Sequence, residues 1–244
     1  MLMPGHEAFF PPTENCAIWR YMDFTKYVSL LETGRLFLPR ADGFEDPYEG
    51  AWSAAGVRLL REQSATGGIP QHGVEQLLAF ASAQRQAVFL SCWHVGNHES
   101  AAMWKLYLQT SEGIAVQSDY ESLARVVDAS PLNAGISMVQ YIDYDKTPIP
   151  FGNAFFPFVH KRQSFAHEKE LRVVVWRLDS VNEPQIPKDA AFTVLDVDLK
   201  QLVKAIYVAP TAPPWFGQLV EQVTRRYGLS VPIVRSNLYD RPSY

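Results

Sequence analysis

A lysine, two glutamates and an arginine crowd one short stretch of the chain, Lys161-Arg162-Gln163-Ser164-Phe165-Ala166-His167-Glu168-Lys169-Glu170-Leu171-Arg172. If a helix runs this far, Lys161, Ser164 and Glu168 share a face of it. Glu170 and Arg172 then fall on one side of a following strand, because strand side chains alternate. A cation, two carboxylates and a guanidinium meeting at such a junction can hold a sugar hydroxyl, a phosphate or a metal. The competing reading is a solvated charge run, since surface ion pairs usually count for little.

Three other places carry chemistry. In Asp46-Pro47-Tyr48-Glu49-Gly50 the proline fixes φ and the glycine permits positive φ, so Asp46 and Glu49 flank a defined turn. Either it is a plain acidic turn, or Glu45, Asp46 and Glu49 bind a cation, though no calcium-loop spacing is present. Arg20 lies between Trp19 and Tyr21 in an apolar stretch. Buried without a partner it is costly, so it should face a cleft, pair with a carboxylate, or sit on a sheet edge in water. Ser91 and Trp93 share one strand face, where a small hydroxyl beside an indole can line a pocket for a flat ring. Trp104 and Tyr107 lie on the next helix and read either as its core face or as further pocket wall.

Several chemistries find no motif. There is no GxSxG elbow, P-loop or GxGxxG turn, and the six histidines show no metal-ligand spacing, so no metal is expected. Cys92 and His94, two apart on a strand, face the same way without hydrogen-bond reach. Cys16 and Cys92 are the only cysteines and read as buried free thiols, which fits a reducing compartment. With 22 basic and 26 acidic residues the net charge is -4, without the broad positive field of a sequence-independent nucleic-acid binder. The first residues lack a signal peptide's basic and apolar regions, and no apolar run is long enough to span a bilayer, so a cytoplasmic protein without membrane contact is expected.

The elements that must position these residues follow from pattern and punctuation. Strands are expected over Ala17 to Tyr21, Arg35 to Pro39, Ala87 to Trp93, Gly113 to Gln117, Ile136 to Tyr144, Leu171 to Leu178, Phe192 to Leu195, Ala205 to Val208 and Val231 to Val234. Asp23 caps a helix through Tyr27, Leu30 and Leu31 that Gly34 stops. Two helical segments are split at Gly67-Gly68-Ile69-Pro70. Met103, Leu106 and Tyr107 line one face of the helix after the third strand. Ser118 with Glu121 makes a capping box for a helix through Val127. Asn153 to about His167 reads as helical, and Pro213-Pro214 opens a last helix that Gly228 closes. The alternation is too irregular for a doubly wound sheet. The expected class is α+β, one domain over residues 1–244, with a mixed, largely antiparallel sheet, split around a cleft or whole, among helices. Asn182 to Pro187 is the one linker-like interruption.

Taken in order, Trp19-Arg20-Tyr21, Gly34-Arg35-Leu36-Phe37 and Phe44-Glu45-Asp46-Pro47-Tyr48-Glu49 resemble the start of a bacterial domain family of unknown function, numbered 2971. Ser91, then Met103, Trp104, Tyr107 and Gly113, then Lys161, Glu168, Glu170 and Arg172 continue that likeness, which covers about residues 18–237. One departure is Glu45, where that family more usually has Asn. The family name implies no activity.

A more distant likeness is to ADP-ribosyltransferases, which split a mixed sheet around a cleft that holds NAD. One branch has an Arg on the first strand, a Ser on a middle strand and a Glu-x-Glu near a later strand, the order of Arg20, Ser91 and Glu168-x-Glu170. The likeness implies that Arg20 contacts a phosphate or ribose and that Ser91 supports the nicotinamide ribose. It also implies that Glu170 stabilises positive charge as nicotinamide leaves, and that Glu168 positions or deprotonates the acceptor. The expected activity is ADP-ribosyl transfer from NAD to a macromolecular acceptor by a toxin or phage-defence effector. Trp93, Lys161 and Arg172 join the cofactor-binding set. Two alternatives remain open. One is a non-catalytic sensor or interaction module of a defence or stress system with a small-molecule or nucleotide pocket. The other is a metal-dependent nuclease built on Asp46, Glu49, Glu168 and Glu170 with Lys161.

Overall fold

The computed structural model describes residues 2–3, 5–108, 111–177 and 186–242. Strand β1 (Ala17–Asp23) runs through Asp23 into α1 (Phe24–Thr33). The Asp23 carboxylate accepts a bond from the Lys26 amide, and Gly34, at φ 62°, ends the helix in the left-handed conformation. β2 (Arg35–Pro39) follows, then the helices α2 (Ala54–Ala65) and α3 (Gln71–Gln84). Next come β3 (Val88–Val95), α4 (Ala101–Tyr107), β4 (Gly113–Asp119), α5 (Tyr120–Asp128), β5 (Ala134–Met138), β6 (Gln140–Ile142), β7 (His160–Arg162) and β8 (Glu170–Trp176). The chain closes with β9 (Phe192–Asp196), α6 (Leu199–Leu202), β10 (Ala205–Val208), α7 (Pro214–Arg226) and β11 (Ile233–Arg235).

Seven strands form one sheet in the order β11-β10-β4-β1-β3-β8-β5, antiparallel except at β10–β11. β2 and β9 pair antiparallel in a separate ribbon, and β6 pairs parallel with β7. The mixed, largely antiparallel α+β class expected from the sequence is the class observed. Along β8 the side chains alternate. Leu171, Val173 and Val175 enter a core shared with Leu30 of α1, Val127 of α5 and Phe216 of α7. Val174 and Trp176 face a second core with Val88, Leu90, Phe9 and Phe158.

The sheet is not evenly zipped. β1 pairs with β4 over seven residues, and β3 with β8 over seven. β1 and β3 pair only at Ile18↔Val95 and Trp19↔His94. Past Trp19 the two central strands part, and the opening between them holds the site described below.

Four expectations are corrected. Asn153 to His167 is not one helix: 3-10 turns at Phe156–Val159 and Gln163–Glu168 flank the strand β7. Pro157 lies in the aromatic run, where a continuing helix would lose a hydrogen bond and clash with the ring. Lys161 is therefore a strand residue, and Ser164 is exposed rather than on a face shared with Lys161 and Glu168. Ile136 to Tyr144 is divided between β5 and β6, which belong to different sheets. The α5 cap is Asp119, accepting from the Ser122 amide, while the Ser118 hydroxyl donates to the Leu202 carbonyl. On α4 the buried pair is Met103 and Trp104, and Leu106 is exposed. Cys16 and Cys92 are free and half-buried. Leu178 and positions 182–185 of the expected linker lie outside the described residues. No helix among the described residues is long and apolar enough to cross a membrane.

Candidate active site

A cavity of about 510 Å³ lies where β1 and β3 separate. Such a volume suits a small-molecule ligand. β1 contributes Trp19 to Met22, β3 contributes Leu90 and Cys92 to His94, β2 contributes Arg35 and Phe37, and Met103 and Tyr107 come from α4. Glu168 and Glu170 form part of its wall. The guanidinium of the first strand and the late acidic pair therefore border one hollow.

Arg20 reaches across the split. Its Nη1 donates to Ser91 Oγ at 2.8 Å and its Nη2 to the Phe37 carbonyl at 2.8 Å. Its Cζ lies 5.8 Å from the centre of the Trp93 ring. Two of its N–H groups are used in these bonds, and a guanidinium has five. Among the described residues no carboxylate forms an ion pair with Arg20. Burial consequently lowers its pKa, against the opposing pull of Cys92 and Tyr107. A half-buried cation short of an anion keeps donors for an anionic ligand. Ser91 is itself 1% exposed and acts on the cavity through Arg20.

The acidic wall rests on a chain of alternating charge. Glu49 grips Arg172 with both oxygens, at 2.6 and 2.8 Å. Arg172 Nη1 also donates to the Phe158 carbonyl at 2.8 Å, and its Nε donates to Glu170 Oε2 at 2.6 Å. Lys161 Nζ donates to Glu170 Oε1 at 2.8 Å and to Glu168 Oε2. Tyr141 accepts from the Glu170 amide at 2.9 Å. Lys169, between the two glutamates, is the one non-glycine residue at positive φ, 43°, among the described residues. This kink between a 3-10 turn and a strand brings both neighbouring carboxyls onto Lys161.

The two carboxyls are driven apart electrostatically. Burial pushes Glu168 up to about 8, helped by its hydrogen bond and its repulsion with Glu170, while Lys161 opposes. Burial also works to raise Glu170, but Arg172, the Glu168 bond and Lys161 outweigh it and hold Glu170 well below the usual range. One carboxyl is a fixed anion and its neighbour carries a proton near neutrality. Burial raises the Cys92 thiol well above its ordinary value, the reverse of what a nucleophile needs. His94 Nδ1 donates to the Glu168 carbonyl at 2.6 Å, and burial lowers its pKa, so the ring stays neutral.

The sequence candidates thus divide by position. Arg20, Trp93, Tyr107, Glu168 and Glu170 border the cavity. Lys161 supports both glutamates from behind. Arg172 is wholly enclosed, so it holds Glu170 rather than reaching a cofactor. Glu49 is occupied by Arg172 and Asp46 by Arg162 at 2.8 Å. Trp104 Nε1 donates to Glu99 and its ring packs edge-on against Tyr21, so it props the wall. Among the described residues no group of three or more His, Cys, Asp or Glu is placed to hold a metal ion. Sequence reasoning missed Phe37, Phe44 and His94 as wall and Tyr141 as a prop. His94 was accessible through alternation from Cys92, whereas Tyr141 gave no signal.

No family model and no curated protein matches this chain, so the likeness to family 2971 rests on the quoted residues alone. Among solved structures it is similar to Thermus sp. 2.9 DarT in complex with NAD+, at a TM-score of 0.40 and 9% identity, over 93% of this chain and 97% of that one.

Proposed function

We propose that the chain is an NAD-using ADP-ribosyltransferase-like enzyme whose substrate lies in the split of its sheet. One observation carries the reading: a half-buried guanidinium without an anion faces the same cavity as a carboxyl pair. NAD has matching ends, an anionic pyrophosphate and a cationic nicotinamide. Arg20 holds a phosphate, and Lys26 and Arg35, at the rim, add positive charge although each already pairs with an aspartate. Trp93, Tyr107 and Phe37 supply flat surface for the rings. Glu170, kept ionised by Lys161 and Arg172, faces the positive charge that develops on the ribose as the C1′–nitrogen bond breaks and its electron pair leaves with nicotinamide. The acceptor's oxygen or nitrogen bonds to C1′, and Glu168 in its ionised form takes the acceptor's proton.

A non-catalytic module is favoured by one specific observation, that both oxygens of Glu170 already contact cations. Incubation with NAD labelled in the ADP-ribose moiety, across protein and nucleic-acid acceptors, separates the readings. The transferase account expects label on an acceptor and free nicotinamide with wild type, and a loss of at least about 100-fold with Glu170→Gln, given the usual size of such electrostatic contributions. Binding of NAD without nicotinamide release would make the chain a module. Equal turnover in both proteins would remove Glu170 from the chemistry.

A further inference from the structure

Glu49 lies outside the cavity. It sits in the turn before Gly50, 2% exposed, and its carboxylate meets Arg172 with both oxygens. We propose that Glu49 is a positioning residue that sets whether Glu168 holds a proton, acting through Arg172 and Glu170. Glu49 and Glu170 contribute two negative charges, and Arg172 and Lys161 contribute two positive. The cluster is therefore neutral only while Glu168 is protonated, and ionising Glu168 places an excess anion in a buried place. The elevated Glu168 carboxyl agrees with this count.

Other charged groups lie nearby: Lys169 is next in the chain, and Arg162, paired with Asp46, shares the Phe165 ring with Lys161, and all three are unchanged in every variant below. Tyr107 of α4, Tyr141 of β6 and Cys92 of β3 are all raised by burial, and His94 of β3 is lowered by it, so each is neutral around pH 7. Arg20, across the cavity, is a constant charge in every variant below. The fold also makes Glu49 hard to displace. Its amide donates to the Asp46 carbonyl at 3.0 Å, and the next residue, Gly50, at φ 69°, packs directly against the Phe158 ring. The Phe158 carbonyl in turn accepts from Arg172. A turn distant in sequence thus presents one carboxylate to the back of the site.

This proposal deepens the transferase reading, because it assigns control of the group that takes the acceptor's proton. Its test does not use NAD, so the two fail separately. The side-chain carboxyl carbons of 13C-glutamate-labelled protein are titrated by NMR, with Glu168→Gln assigning the Glu168 resonance. Wild type should show Glu168 titrating near pH 8. Glu49→Gln should move that midpoint down by about one unit or more, as loss of one nearby buried charge implies. Glu49→Asp, which keeps the charge, should leave it near the wild-type value. A folded Glu49→Gln protein whose Glu168 midpoint stays put would overturn the proposal. If Glu49→Gln does not fold, Arg172→Gln should raise the midpoint and Glu49→Gln/Arg172→Gln should restore it. A midpoint unmoved in Arg172→Gln would overturn the proposal equally.

Discussion

Arg20 of β1 and Ser91 of β3 are joined by a 2.8 Å hydrogen bond across the place where their strands no longer pair. The bond fixes the guanidinium without neutralising it. Arg20→Met should therefore leave the melting temperature close to wild type, since it removes a half-buried charge with no ion-pair partner. NAD affinity should fall by about 10- to 100-fold, the worth of a charge-assisted bond. Calorimetric titration together with thermal melts checks both halves. Ser91→Ala should weaken binding less, because the Phe37 carbonyl still holds the other arm of Arg20.

Glu168 gives the site its pH dependence. Its carboxyl is raised to about 8, so the proton-accepting form becomes abundant only as pH rises through that value. Transfer should climb from pH 6 to about 8 and then level off. Stability should run the other way. A folded pKa above the unfolded one means that the native state binds more protons between about 4.3 and 8. This contribution is full below the unfolded value and is lost as pH rises through the folded one. Melting curves across that range, compared with Glu168→Gln, should show a decline in wild type that the variant lacks.

Lys169 adopts a left-handed backbone at φ 43° with an exposed side chain. Lys169→Gly should stabilise the fold by up to about 1 kcal/mol, because only glycine takes that conformation freely. Lys169→Val should destabilise it by more than that, since branched residues tolerate the region worst. Urea denaturation measures both.

Gly50 tests the turn that carries Glu49. A Cβ there would meet Phe158 Cε1 at 2.4 Å, at a φ of 69°. Gly50→Ala should cost about 2–4 kcal/mol from steric overlap plus backbone strain. A loss below about 1 kcal/mol in denaturant would show that the turn yields easily, and with it the hold on Arg172.

The sequence disclosed what is decided locally. Asp23 and Gly34 bracket α1 because a side-chain cap and a left-handed stop act within a few residues. Alternation along β8 put Glu170 and Arg172 on one side. What stayed hidden was decided by distant pairing. Lys161 does meet Glu168, although no helix joins them: a strand, a 3-10 turn and the Lys169 kink do it, and Pro157 was the overlooked signal. The break at Met138 to Gln140 follows from β8 and β7 lying in different sheets, which no short window contains. Ser118 and Asp119 are both good caps, and the Leu202 carbonyl, far along the chain, settles which of them serves. The separation of β1 from β3 is a matter of long-range register, with pairing only at Ile18 and Trp19, so composition alone gave no sign of it.

One ligand should touch both the lone guanidinium and the acidic pair. A crystal structure of Glu170→Gln with NAD decides this, because the substitution should slow any turnover. Pyrophosphate oxygens should lie within hydrogen-bond distance of Arg20, with the nicotinamide ribose against Glu168 and position 170. An empty cavity at saturating NAD, or NAD bound away from Arg20, would refute this placement.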